Sequence, residues 1–341
     1  MADRVLVTGI SGFLGGHVAL ALLDAGYQVR GSVRDLGKAD KVRDTLRRAS
    51  ARGNADELEI VALDLLKDEG WAAAMEGCRF VQHVASPFVL RTPKDRNELI
   101  RPAVEGTGRA LRAALASGVE RVVLTSSFAA IGYGHGDRTT PFTEADWSAT
   151  EGADVTAYTE SKTRAELEAW SIMEAAGRRA DLAVVNPTGI FGPLLDDDPG
   201  TSGVLVLRLL NGSVPAAPKL AFGIIDVRDV AAVQLKAMET LPAGGRRFLT
   251  SGGTLSFMQA ADILRRAFPD RAGKLPRFEL PNALVRLLAL FDADIRGNVH
   301  SLGLVKQFDA GQAEALLGRP FITPADAVIA TGRSLIAQGL V

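Results

Sequence analysis

The chain has 341 residues, beyond the size at which one hydrophobic core usually stops growing, so one large domain with an appendage, or two domains, is expected. Its 39 basic and 40 acidic side chains leave a formal net charge of -1, which offers no electrostatic footprint for nucleic acid or an anionic membrane. The single cysteine, Cys78, excludes an intramolecular disulfide, and the 4 histidines show no zinc-ligand spacing, so no metal site is expected.

The first β-rich run, residues 5–8, is entered without a basic region and a long apolar stretch before it. No secretory signal is therefore expected, and the cytoplasm is the expected compartment. Further strands are predicted over residues 28–33, 59–63, 80–85 and 121–126, with amphipathic helices between them over 17–25, 41–49, 71–76 and 99–116. A helix over 157–176 and a sixth strand over 182–185 continue the alternation, which reads as a doubly wound parallel α/β sheet of the Rossmann type. After Gly192-Pro193 the texture changes, and Pro215, Pro218, Pro242, Pro269, Pro276 and Pro281 break the remainder into short pieces. Residues 222–226 and 247–250 are predicted to return to the main sheet as strands. The resulting division is a dinucleotide-binding domain of residues 1–190 plus 222–250, and a smaller, mixed C-terminal substrate lid of 191–221 plus 251–341. The most apolar late stretch, 283–291, contains Arg286 and is too short to span a bilayer.

Gly9, Gly12 and Gly15 follow the first strand and open the first helix. Glycines there allow a tight turn, close backbone approach to a pyrophosphate and tight packing of helix on strand. Ser11 stands where the commoner pattern has its second glycine. The turn Gly9-x-Ser11-Gly12-Phe13-Leu14-Gly15 is thus the expected phosphate cradle, with backbone amides at a helix N-terminus facing the anion. At the end of the second strand, Val33 and Arg34 occupy the place where an acidic residue would accept from an NAD ribose. Arg34, with Lys38 and Lys41 after it, suits a 2′-phosphate and points to NADP(H). Asp35 either accepts from the ribose in a shifted register or pairs with Arg34.

Tyr158 and Lys162 lie four apart at the start of a helix and share one face, which lets the ammonium lower the phenol's proton affinity. The fifth strand ends in Thr125-Ser126-Ser127, placing hydroxyls at the carboxyl edge of the sheet, where one can polarise a substrate carbonyl. No histidine is placed to activate Ser127 as a hydrolase nucleophile.

The glycine turn, Asp64-Leu65, Val84-Ala85-Ser86-Pro87, the run from Pro102 to Thr107, Thr125-Ser126-Ser127 and Tyr158-x-x-x-Lys162 together resemble the extended short-chain dehydrogenases/reductases. The similarity covers roughly residues 4–235. Within that family the chain is similar to the dihydroflavonol reductases, cinnamoyl-CoA reductases and microbial aldehyde and ketone reductases. The resemblance implies that Asp64 and Leu65 hold the adenine and that Ala85, Ser86, Pro87 and Thr125 line the middle of the cofactor. It also places Lys162 on the nicotinamide ribose and Pro187 and Thr188 on the carboxamide. Ser127 is the serine that aligns with the catalytic one, and Tyr158 is the proton donor when NADPH delivers hydride.

Two departures bear on the substrate. Flavonoid reductases of the group carry an asparagine where this chain has Gly132. Nucleotide-sugar epimerases carry a side chain at Gly189 that glycine cannot offer. A nucleotide-sugar epimerase or dehydratase, and a non-catalytic NADP-sensing protein, are the alternatives, and the Tyr158-Lys162 pair speaks against the second. The expected partner is a compact, largely apolar aldehyde or ketone lined by Phe88, Phe128, Ile131, Phe191 and Phe222, with homodimerisation left open.

Overall fold

The structure is a computed structural model that describes residues 2–52, 55, 58–87, 95–291, 296–297 and 299–341. Six strands alternate with helices in the first half: β1 (Arg4–Thr8), β2 (Gln28–Val33), β3 (Glu59–Ala62), β4 (Phe80–His83), β5 (Arg121–Thr125) and β6 (Leu182–Pro187). With β9 (Arg247–Thr250) they form one parallel sheet in the order β3-β2-β1-β4-β5-β6-β9. The central strands are apolar on both faces, as a sheet covered by helices on both sides requires. One face packs α1 (Phe13–Ala25), α2 (Ala39–Ala49) and α7 (Val227–Glu239) around Leu22, Leu23 and Val230. The other carries α3 (Trp71–Met75), α4 (Asn97–Ala116) and α5 (Ala157–Ala175) around Leu111, Trp170 and Met173. The strand order reverses between β1 and β4, which opens a crevice at their carboxyl ends.

The segment expected to return to the main sheet divides. β9 does return, beside β6, but β8 (Ala221–Asp226) does not. It is the middle strand of a second sheet, parallel to β7 (Gly189–Phe191) and antiparallel to β10 (Gly253–Ser256). Both segments are short apolar runs, and apolarity alone cannot say which edge a strand will pair with. Contact settles it. A Cβ on Gly223 would stand 2.6 Å from Phe308 and 2.7 Å from Thr188, so β8 lies flat against residues that only the closed fold brings near.

The second sheet packs with α6 (Gly200–Asn211), α8 (Phe257–Ala267) and α11 (Pro324–Ala337) around Leu209, Leu210, Leu264 and Leu335, a core of its own. Among the described residues two shorter helices follow, α9 (Asn282–Leu288) and α10 (Gly311–Leu317). Although α10 falls in the stretch expected to form the lid, it packs on α7 and β9 and buries Ala313 in the core of the main sheet. Among the described residues no helix is long and apolar enough to cross a membrane.

Helix α1 begins at Phe13, four residues earlier than its apolar pattern suggests, because the glycines let it start directly over the β1 turn. Gly9 adopts φ +70°, and a Cβ there would crowd Ala85 Cα at 3.0 Å, where the turn passes β4. At Gly15 a Cβ would lie 2.2 Å from the Gly9 carbonyl oxygen, whereas at Gly12 it would meet that oxygen at an ordinary 3.5 Å. Gly15→Ala is therefore expected to cost about 1–3 kcal/mol. Gly12→Ala should stay within about 0.5 kcal/mol of the parent. Urea denaturation of the two variants decides it, and equal midpoints would refute this account of the turn.

Candidate active site

Thr156 caps α5 by accepting from the Thr159 amide at 3.1 Å, which fixes Tyr158 in the first turn and Lys162 one turn later on the same face. Ser127 follows the end of β5 in an extended conformation and caps the short turn Phe128–Ala130, its Oγ accepting from the Ala129 amide at 3.1 Å. That turn is stapled to α5 and to the loop after it. The Ala129 carbonyl accepts from Ser148 Oγ at 2.7 Å and from Thr163 Oγ1 at 3.4 Å. The result brings the Ser127 hydroxyl into a hydrogen bond with the Tyr158 phenol. The Lys162 ammonium stands 6.0 Å from the centre of the Tyr158 ring.

Burial pushes the Tyr158 phenol above its ordinary value of 10, and the bond to Ser127 pulls the other way. The spacing alone suggests a phenol lowered by its lysine. Here desolvation outweighs the Ser127 bond, so the phenol is raised rather than lowered. Lys162 is itself buried. Desolvation lowers it to about 8, opposed by the nearby Glu166 carboxylate. A small polar cavity lined by Ser86, Thr107, Thr125, Ser126, Lys162 and Glu166 lies beside the ammonium.

The crevice fits a dinucleotide. No side chain caps α1 and its first turn carries no acidic residue, so its open amides at Phe13, Leu14 and Gly15 face whatever anion lies against the glycine turn. Ser11 and Gly12 line a hollow between that turn and α2. Arg34 is exposed and makes no ion pair with Asp35, whose carboxylate instead accepts from the Gly37 amide at 2.9 Å and caps the next turn. Lys41, expected on the same phosphate, pairs with Asp196 at 3.4 Å and with Asp197. Asp64 and Leu65 follow β3 at the crevice edge, where Asp64 accepts from the Leu66 amide at 3.0 Å. Ala85, Ser86 and Pro87 follow β4. Pro187 ends β6, and the Thr188 hydroxyl is tied to the Thr250 carbonyl at 3.2 Å. The Thr125 hydroxyl accepts from Gln234 Nε2 at 2.7 Å, which turns it toward α7.

On the substrate side the aromatic residues divide. Phe88 lies outside the described residues. Ile131 and Phe191, at 0% and 2% exposure, sit behind the wall in two separate cores, and Phe128 is buried with Phe142 and Phe308. Phe222 is partly exposed and stacks on Phe191. A Cβ on Gly132 would fall 1.9 Å from the Phe128 ring, so the ring fills the space an asparagine would need. At Gly189 a Cβ would meet the Gly223 carbonyl at 3.0 Å, so a longer side chain there runs into β8. Two residues not expected from the sequence stand nearby. The half-buried Tyr133 phenol, pushed up to about 12 mainly by desolvation, lies close enough to Tyr158 to feel its charge. Lys306, from the segment before α10, donates to the Gly132 carbonyl at 2.5 Å and to Asp154 at 3.3 Å, and its ammonium rests 3.7 Å over the Tyr133 ring.

A third unexpected residue, His83, ties the crevice together. Thr8 Oγ1 accepts from the amides of Val84 at 3.1 Å and Ala85 at 3.0 Å, so its proton goes to His83 Nδ1 at 2.9 Å. That bond needs a neutral imidazole, and burial, aided by Lys162, lowers the group to about 4. The unfolded chain takes up this proton near pH 6.5, so stability should fall between pH 6.5 and 4 by on the order of 3 kcal/mol. His83→Gln should flatten that part of a urea-unfolding series against pH. An unchanged slope in the variant would exclude His83 as its source.

Comparison with known proteins agrees with this geometry. A model of the NAD dependent epimerase/dehydratase family matches residues 5–248. The chain is 34% identical to cinnamoyl-CoA reductase CAD2 of Medicago truncatula, covering 79% of this chain and 82% of that one. It is 33% identical to tetraketide alpha-pyrone reductase 1 of Arabidopsis thaliana, covering 88% and 90%. Among solved structures, the yeast methylglyoxal/isovaleraldehyde reductase Gre2, complexed with NADPH, superposes with a TM-score of 0.79 at 28% identity, over 99% of this chain and 100% of that one. The chain belongs to the NAD-dependent epimerase/dehydratase family, the extended short-chain dehydrogenases/reductases, in the group of the cinnamoyl-CoA, tetraketide α-pyrone and methylglyoxal reductases.

Proposed function

We propose that this protein reduces a compact, largely apolar aldehyde or ketone to an alcohol, with Tyr158 as proton donor. It is an NADP-dependent oxidoreductase, and carbonyl reduction is its general chemistry. The observation that carries the finer reading is the Ser127–Tyr158 hydrogen bond beside the buried Lys162, at the carboxyl edge of the sheet. NADPH supplies the hydride when bound. Ser127 orients the carbonyl and donates to its oxygen as negative charge develops there. Tyr158, whose phenol burial shifts upward, passes its proton to the same oxygen. The Lys162 ammonium stabilises the phenolate left behind.

In this reading Gly9, Ser11, Gly12, Phe13, Leu14 and Gly15 hold the pyrophosphate and Arg34 meets the 2′-phosphate. Lys41 joins Arg34 if it leaves Asp196 and Asp197. Asp64 and Leu65 flank the adenine, while Ala85, Ser86, Pro87 and Thr125 line the middle of the cofactor. Pro187 and Thr188 border the carboxamide and Lys162 the ribose. Residues 1–188 with 227–250 and α10 form the cofactor domain, and the second sheet with α6, α8, α9 and α11 forms the substrate lid. The substrate is bounded by Phe222, Phe308 and Tyr133, with Phe128, Ile131 and Phe191 giving the wall its bulk from behind. The crowding at Gly132 and Gly189 favours this substrate class over hydroxylated flavonoids and nucleotide sugars.

Arg34→Ala is expected to weaken NADPH binding by about 1.5–3 kcal/mol and to leave NADH nearly unchanged. Equal losses for both cofactors in a fluorescence titration would sink the assignment. In steady-state assays with NADPH, aryl or alkyl aldehydes and ketones should be turned over with the highest kcat/KM. Tyr158→Phe should abolish most of that turnover while leaving NADPH binding intact. Turnover confined to a nucleotide sugar, or a Tyr158→Phe enzyme with near-normal kcat, would overturn the reading.

A further inference from the structure

Beneath Ser127 and Lys162 lies a buried ion pair that the reaction as proposed does not use. Glu166, at 0% side-chain exposure, accepts from Arg247 Nε at 2.5 Å, Ser126 Oγ at 2.5 Å, Asn186 Nδ2 at 2.7 Å and Trp170 Nε1 at 3.4 Å. Arg247 gives three further donors to the carbonyls of Asp146 at 2.6 Å, Glu144 at 2.8 Å and Ala130 at 3.4 Å, and its guanidinium lies 3.8 Å over the Trp147 ring. Asn186 Nδ2 also reaches the Ser127 carbonyl at 3.3 Å. The carboxylate thus holds the residue before Ser127 directly and Ser127 itself through Asn186. It sits one helical turn from Lys162 and shares the small polar cavity with it. A buried ion pair adds little net stability over an apolar pair of the same volume, so stability alone does not account for it.

We infer that Glu166 is a positioning residue for the reduction, keeping Ser127 in register through Ser126 and Asn186 and supplying the negative charge that keeps Lys162 an ammonium. The inference rests on the proposed roles of Ser127, Tyr158 and Lys162. Among the described residues the groups facing the pair are few. Lys162 faces Tyr158 and Glu166 on its own helix and His83 from β4, and α4 adds only the uncharged Thr107 to the cavity. Glu166 faces Arg247 from β9. Glu144 and Asp146 turn their carbonyls to Arg247, and the Glu144 carboxylate accepts from the Leu249 amide at 3.2 Å. Of the ion pair, it is the Glu166 charge that reaches Lys162 and opposes its desolvation.

The sign follows directly. Without the carboxylate, Lys162 loses its proton at lower pH, and the alkaline limb of the kcat–pH profile moves down. Glu166→Gln should lower kcat about tenfold or more, move that limb down by about one pH unit, and leave the NADPH dissociation constant within about twofold. Because this variant leaves Arg247 unpaired, Glu166→Gln combined with Arg247→Met removes both charges at similar volume and should show the same downward shift. Lys162→Met separates the two levels. If it retains the parent's limb and rate, the proposed role of Lys162 fails. If it removes the limb while both Glu166 variants keep the parent's profile and kcat, only the inference about Glu166 is overturned. A lowered melting temperature with an unmoved pH profile would likewise make Glu166 structural and overturn it.

Discussion

The buried contact between Glu166 and Arg247 sets the terms for the rest of the molecule. Taking a carboxylate and a guanidinium out of water costs several kcal/mol per ion unless geometry and further hydrogen bonds offset it. Here the offset is spread over separate pieces of chain: α5 supplies the acid and β9 the base. Ser126 beyond β5 and Asn186 on β6 donate, and carbonyls at Ala130, Glu144 and Asp146 accept. None of these can slide without leaving a buried charge uncompensated. The constraint registers the serine after β5 against the helix that carries Tyr158 and Lys162. It also fixes β9, from which the chain runs directly into β10 of the second sheet.

A second, neutral cluster does the same work at the cofactor end. Thr8 is the last residue of β1 and His83 the last of β4, at the point where the strand order reverses. Their hydrogen bond leaves the Thr8 oxygen free to accept from the two amides that begin the loop after β4. The close passage of Gly9 against Ala85 depends on that loop staying in place, since the two backbones leave no room for a side chain. The glycines are thus needed for shape at positions 9 and 15, while at Gly12 the bare backbone leaves open space in front of the helix amides.

On the substrate side the wall is built by occupation. The Phe128 ring fills the space next to Gly132, and Phe142 and Phe308 hold it there edge-on. Lys306 clamps the loop of Gly132 and Asp154, and its charge is offset by the carboxylate and by the Tyr133 ring.

Much of this was legible in the sequence for a physical reason. A buried parallel strand needs an apolar run, a surface helix needs a 3.6-residue stripe, and a tight turn needs glycine, and each of these is a property of neighbours along the chain. Gln28–Val33 and Arg247–Thr250 were readable to the residue, as were Tyr158 and Lys162 sharing one helix face and Gly9 and Gly15 in the first turn. The tertiary structure decided the rest, because those choices depend on residues distant in sequence. Whether β8 joined the main or the second sheet was settled by its fit against Phe308 and Thr188. Whether Phe128, Ile131 and Phe191 faced a ligand or a core depended on which surfaces closed over them. The upward shift of the Tyr158 phenol followed from burial that no spacing reveals. Glu166 reads in the sequence as an ordinary helical acid, and only folding brings it to Arg247, 81 residues away, where removal from water makes their pairing obligatory.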